Sequence, residues 1–144
     1  MNTWDEDFLR LAQFWADLRS KDPSTTVGAV IADPNSHEIV SIGYNGFPRG
    51  VRDDEALLND RPSKYARVVH AEVNAILFAG HRARGMDLYG TLFPCNECAK
   101  VIIQAGIRRV ITPPIPEGRD ANYAVTFDMF RRSGVLFDFV ELPL

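Results

Sequence analysis

From His70 onward the apolar residues change their spacing again and again, and few architectures accommodate that pattern. His70–Ala83 repeats at helical spacing, Met86–Phe93 reads as a strand, Asn96–Ala105 as a helix and Arg108–Thr112 as a strand. Asn122–Ser133 then reads as a helix and Val135–Val140 as a last strand. Gly85, Gly106 and Gly134 stand where each helix must stop, because glycine takes the left-handed conformation of a helix C-terminus without steric cost. Strands separated by helices pair as parallel neighbours, since a parallel crossover needs about a dozen or more residues. The second half of the chain is therefore expected to lay helices across a sheet.

The first half supplies the remaining elements. Trp4, Phe8, Leu11, Ala12, Trp15 and Leu18 recur at helical spacing, so Trp4 to about Arg19 reads as an amphipathic helix that Asp22-Pro23-Ser24 ends. Its aromatic residues read as core or subunit contact. Thr26–Ala32 and Glu38–Tyr44 are β-rich runs around Asp33-Pro34-Asn35-Ser36, which predicts a hairpin. Residues 45–69 are rich in charge, Gly and Pro and keep no period, so they read as a long irregular connection of a functional or mobile kind. The fold class expected is α/β, with a mixed five-stranded sheet covered on both faces by helices, in one domain spanning residues 1–144.

Composition narrows what such a domain does. Apolar residues make up 46% of the chain, enough for a packed core and too many for a disordered segment. The net charge is −3 with Lys and Arg dispersed, so a nucleic-acid partner is not expected. No apolar run approaches the roughly 18 residues of a membrane span. The acidic start MNTWDEDFLR is unlike a secretory signal, so a cytoplasmic location is expected. The two cysteines, Cys95 and Cys98, form a C-x-x-C pair, which in such a chain points to metal binding or redox work more than to a disulfide.

Pro94-Cys95-Asn96-Glu97-Cys98 lies between a predicted strand and a predicted helix, so both sulfurs are expected in the first turn of that helix. There, free backbone N–H groups and the helix dipole favour thiolate, the form that ligates zinc. On its own the pair also fits a thioredoxin-like dithiol or two ordinary buried cysteines. His70-Ala71-Glu72 opens the preceding helix, and a layered α/β fold delivers successive helix N-termini to one sheet edge. His70, Cys95 and Cys98 would then give a tetrahedral zinc three ligands and one open position, the catalytic pattern. Glu72 diverges from His70 by about 200° on a helix and so reads as a proton carrier beside the ion rather than a ligand. Its plainer reading is an acid that complements the helix dipole.

These residues fall into the H-x-E and P-C-x-x-C signature of the zinc nucleobase deaminases. Within that superfamily the chain resembles the deoxycytidylate (dCMP) deaminases. The likeness is carried by Ser20-Lys21-Asp22-Pro23-Ser24-Thr25-Thr26-Val27-Gly28-Ala29 and Gly43-Tyr44-Asn45-Gly46-Phe47-Pro48-Arg49-Gly50. His70-Ala71-Glu72-Val73-Asn74-Ala75-Ile76 and Phe93-Pro94-Cys95-Asn96-Glu97-Cys98-Ala99-Lys100 complete it, from about Asp5 to Val110.

The resemblance implies a three-layer αβα cytidine-deaminase-like fold and hydrolytic deamination of dCMP to dUMP, supplying dUMP for dTMP synthesis. It implies one catalytic Zn2+ per chain held by His70, Cys95 and Cys98, a water activated by that zinc, and Glu72 as proton shuttle. Asn45 matches the position that hydrogen-bonds the sugar, and Ala71 and Thr25 join it as substrate-binding candidates. In regulated members the segment matching Gly46–Gly50 helps bind a nucleoside triphosphate, dCTP activating and dTTP inhibiting. Lys21, Gly46, Phe47 and Arg49 are the regulatory candidates, with Mg2+ accompanying the nucleotide. The partners implied are small-molecule nucleotides and further copies of the chain in a homo-oligomer, a hexamer, with neither membrane nor nucleic acid.

The chain also departs from the family. After the fourth strand the family places a Tyr in a segment that closes over the nucleotide, whereas this stretch reads Thr112-Pro113-Pro114-Ile115-Pro116-Glu117-Gly118-Arg119, with Arg119 as a candidate phosphate donor. The departure keeps other small substrates open: a C5-modified dCMP, a guanine-type base or a riboflavin-pathway pyrimidine. A tRNA adenosine deaminase is disfavoured by the acidic net charge, and a non-catalytic zinc module by the presence of Glu72. His37 and His81 read as solvated or capping residues.

Overall fold

Thr3 caps the first helix, α1 (Trp4–Arg19): its hydroxyl accepts from the Glu6 N–H at 3.2 Å, and Asp5, Glu6 and Asp7 set negative charge against the helix's positive end. The computed structural model describes residues 3–142. After α1 come strands β1 (Gly28–Ala32) and β2 (Ile39–Tyr44), then α2 (Glu55–Asn59), α3 (Arg61–Arg67) and α4 (Ala71–Ala79). The alternating half follows as β3 (Asp87–Gly90), α5 (Asn96–Gln104), β4 (Arg109–Thr112), α6 (Ala124–Ser133) and β5 (Leu136–Phe139). The strands bond in the order β2-β1-β3-β4-β5, with β1 antiparallel to both neighbours and β3, β4 and β5 parallel. This is the mixed five-stranded sheet read from the sequence.

Alternation along β1 divides the core in two. Val30 and Ala32 pack with Phe8, Leu9 and Ala12 of α1 and with Tyr89, while Ala29 and Ile31 pack with Ala71 and Ala75 of α4, Ile102 of α5 and Phe130 of α6. Helix α1 thus covers one face and α4, α5 and α6 the other, giving three αβα layers. A Cβ on Gly28 would lie 2.0 Å from the Ala12 carbonyl oxygen, so a side chain there would push α1 off the sheet.

Several boundaries differ from the sequence reading. The connection over 45–69 is not irregular throughout, because Asp54 and Asp60 cap α2 and α3 by accepting from the Ala56 and Ser63 N–H groups. Helices of five and seven residues are too short to display a period. The helix expected over His70–Ala83 is α4 followed by a 3-10 turn over Gly80–Ala83, and another such turn, Asp120–Tyr123, precedes α6. Gly85, Gly106 and Gly134 do adopt positive φ, at 77°, 80° and 81°. Among the described residues no helix is long and apolar enough to cross a membrane.

Candidate active site

Strands β2 and β3 flank β1 and both run antiparallel to it, so they point the same way and the helices that follow each of them start at one sheet edge. Helix α4 lies very close to β2. Its Ala71, Ala75 and Ala79 present a small-residue face, and a Cβ on Gly43 would meet the Ala71 oxygen at 2.6 Å and the Ala75 nitrogen at 2.7 Å. The Ser41 hydroxyl donates to the Ala75 carbonyl at 2.6 Å, and the Asn74 amide donates to the Tyr44 carbonyl at 2.8 Å. Gly46 and Val69 exchange backbone bonds of 3.1 and 2.7 Å just before His70. These ties fix His70 as the N-cap residue of α4.

The second arm of the site leaves β3 through Phe93 and Pro94. Phe93 sits in an aromatic cluster with Phe127, Phe130 and Phe137, and the buried Thr126 hydroxyl of α6 donates to the Pro94 carbonyl at 3.0 Å. The turn is thereby held from behind by α6. Cys95 is the N-cap of α5 rather than a residue of its first turn, and Cys98 alone of the pair sits within the helix.

The two arms meet. His70 Nδ1 lies 3.1 Å from Cys98 Sγ and 3.7 Å from Cys95 Sγ, and the three ligand atoms all fall within 4.8 Å of one another. Zinc with Zn–S near 2.3 Å and Zn–N near 2.0–2.1 Å in tetrahedral geometry needs ligand separations of roughly 3.5–3.8 Å, so this nitrogen and two sulfurs could hold it. A bond from the Cys98 thiol, helped by His70 and opposed by partial burial, draws the Cys95 thiol down to about 3. The same bond, then burial, pushes the Cys98 thiol up. Cys95 raises the His70 imidazole above its ordinary value against the effect of burial.

Glu72, 4% exposed, lies behind this cluster. Burial pushes its carboxyl above the usual range, while a bond with Cys98 and the His70 charge oppose the rise. A carboxyl in such surroundings, itself part of a cavity wall, can accept a proton and give it back.

A cavity of about 240 Å³ opens onto the cluster, and His70, Ala71, Glu72, Cys95, Asn45 and Thr25 all line it. Asn45 is buried and largely committed to the fold: its Oδ1 accepts from the Ser20 hydroxyl at 2.6 Å and the Val27 N–H at 2.9 Å, and its Nδ2 donates to the Thr25 carbonyl at 3.0 Å. One amide N–H of Asn45 is left over. A larger cavity, about 800 Å³, lies on the other side of Asn45 and is lined by Lys21, Gly46, Phe47 and Arg49 together.

Arg119 is not brought in. It is exposed in the turn before Asp120 and lines neither cavity. Tyr123 lines the active cavity instead, edge-on to Phe93 at 5.5 Å, although the stretch 112–119 contains no tyrosine. The sequence reading also passed over Lys64, which lines both cavities. A lone lysine in a charge-rich connection gives no signal of burial.

Residues 2–113 match the family described as the cytidine and deoxycytidylate deaminase zinc-binding region. The human deoxycytidylate deaminase is 47% identical over 114 residues, covering 75% of this chain and 63% of that enzyme. The chain therefore spans less than two thirds of that relative's length. An uncharacterized deaminase from the luxG 3′ region of Aliivibrio fischeri is 41% identical over 148 residues, covering 100% of this chain and 98% of the relative. The crystal structure of a dCMP deaminase from cyanophage S-TIM5, in complex with dCMP and dUMP, superposes with a TM-score of 0.71 at 24% identity, over 94% of this chain and 95% of that one. At that identity the likeness speaks for the fold.

Proposed function

The chain belongs to the cytidine and deoxycytidylate deaminase zinc-binding family, and on that premise we propose that it converts dCMP and water to dUMP and ammonia within a single deaminase domain. The observation that carries this reading is the buried Glu72 set against His70, Cys95 and Cys98 at the wall of one cavity. A metal site that served the fold alone would have no use for a buried proton carrier beside it. The human relative, named a deoxycytidylate deaminase, supports the choice of substrate.

His70, Cys95 and Cys98 would hold one Zn2+, which when bound supplies the Lewis acidity that makes water a competent nucleophile near neutral pH. Glu72 takes a proton from the attacking water, places it on ring N3 and then helps protonate the departing amine. The base lies against Ala71, and the unused N–H of Asn45 meets the sugar. Thr25 forms the wall beside it. Tyr123 closes over the nucleotide from α6's side, the role the family gives to a tyrosine after the fourth strand.

Lys21 and Arg49 bring two cations to the larger cavity, and Gly46 and Phe47 shape its wall. A regulatory nucleoside triphosphate, with Mg2+, would occupy that space. Phe14 and Leu18, exposed on α1, suit contact with further copies of the chain.

The test is Glu72→Gln, which keeps shape and removes the proton carrier. Ammonia release from dCMP falls by roughly 10²–10⁴-fold while zinc stays at about one per chain. Retained turnover would remove Glu72 from the mechanism, and wild-type protein inert towards dCMP, 5-methyl-dCMP, CMP and deoxycytidine would overturn the reading.

A further inference from the structure

Lys64 is 2% exposed, in α3 where its neighbours Arg61 and Arg67 face solvent. Lysine is almost never buried without a partner, because its ammonium loses its hydration. Its Nζ donates to Asp22 Oδ1 at 3.0 Å and comes within 3.4 Å of the Ser24 hydroxyl. The same Asp22 oxygen accepts from the Ser24 and Thr25 N–H groups, at 2.8 and 3.1 Å, so it is committed to shaping the loop. Stability does not account for the pair, since a buried ion pair contributes little over an apolar pair of similar volume.

Its location does. Lys64 lines the active cavity, whereas Lys21 and Arg49 line the larger cavity alone. Among the described residues lining the active cavity, the lysine is the one permanently positive side chain, sharing its wall with Asp22, Glu72, His70 and Cys95. Ser24 and Thr25 line the same cavity as Glu72 and Asn45, so their loop is within reach of the 5′ end of a nucleotide whose base lay at Glu72 and whose sugar lay at Asn45. That loop is bonded to Asn45 through the Thr25 carbonyl and to Lys64 through Asp22. A phosphate placed there needs a cation, and an ammonium with hydroxyls beside it supplies one.

We propose that Lys64 is the specificity-determining cation of the active cavity, recognising the 5′-phosphate of the substrate and so selecting nucleotides over nucleosides; this rests on the deaminase reading above. Asp22 holds the ammonium in position, and the arriving phosphate shares it, with the Ser24 hydroxyl as a neighbouring donor.

The experiment measures kcat/KM for dCMP and for deoxycytidine with zinc-loaded protein. In Lys64→Met the ratio of the two falls roughly 10- to 150-fold, the loss of one charge-assisted contact, and the fall appears in KM for dCMP. Because that variant leaves Asp22 uncompensated, Asp22→Asn/Lys64→Met is measured beside it; asparagine preserves the loop's backbone bonds and no buried charge remains unpaired. The same fall in the double variant supports the assignment. An unchanged ratio, or a parallel loss on both substrates, overturns it and leaves the deaminase reading standing. Wild-type protein inert on both substrates overturns both together.

Discussion

Two polar clusters sit at opposite edges of the same sheet, and they are built on opposite plans. Around the first residues of β3 and β4, Arg109 donates to Asp5 at 2.9 and 3.2 Å and to Asp138 at 2.7 Å, and Arg108 grips Asp87 with two bonds of 2.9 and 2.8 Å. The Tyr89 hydroxyl completes the set by donating to Asp5 at 2.7 Å. Every charge there meets its opposite. At the far edge, beyond the ends of β2 and β3, one imidazole and two sulfurs converge with a buried carboxyl group behind them and no lysine or arginine among the three. A closed network of mutual partners stabilises the fold, whereas a convergent set of like donors is organised to hold an ion.

The sharpest way to separate the two plans is to remove one donor from the open set. Cys98→Ser replaces a thiolate ligand with a hydroxyl that zinc holds poorly. Metal content falls to near zero and deaminase activity drops below roughly one hundredth. Elemental analysis and ammonia release read both at once. A metal-replete, active Cys98→Ser protein would remove this residue from the ligand set.

The reciprocal change is Arg109→Met. It leaves Asp5 and Asp138 without their shared cation, and Asp87, 3% exposed, with Arg108 alone. Unfolding in urea shows a loss of roughly 2–4 kcal/mol, while zinc per chain stays as in the parent. If the metal content fell together with stability, the two edges would not be independent and the comparison would fail.

The sequence reveals these clusters unequally. His70, Glu72, Cys95 and Cys98 were legible because metal chemistry demands particular residue types at helix starts, and the changing apolar period placed two such starts in tandem. The five strands were legible for the same reason, with ends misjudged by one to three residues, the most at β3, where Leu92 and Phe93 extend the apolar pattern beyond the strand's pairing. The Arg109 network was not, since two adjacent arginines at the start of a strand give no sign of partners that lie as far away in sequence as Asp5. Lys64 and Tyr123 escaped for a related reason. Each lies in a short or irregular element, where no periodicity distinguishes a side chain turned inward from one turned out.

The smallest effect concerns acid. Burial works against the Asp5 carboxylate, but the Arg109 guanidinium and the Tyr89 hydroxyl outweigh it and hold its pKa below the ordinary 3.8. A carboxyl with a depressed folded pKa binds fewer protons folded than unfolded in that range, so its stabilising contribution is complete above the ordinary value. That contribution is lost as pH falls from there through the folded value. Asp5→Asn cannot titrate, so its stability at pH 3 relative to pH 5 declines less than that of the parent. The comparison is cleanest in the Cys98→Ser background, where no metal departs as the solution is acidified. Urea midpoints at the two pH values read the difference, and an equal decline with and without Asp5 would show that the closed network does not set the acid limit of the fold.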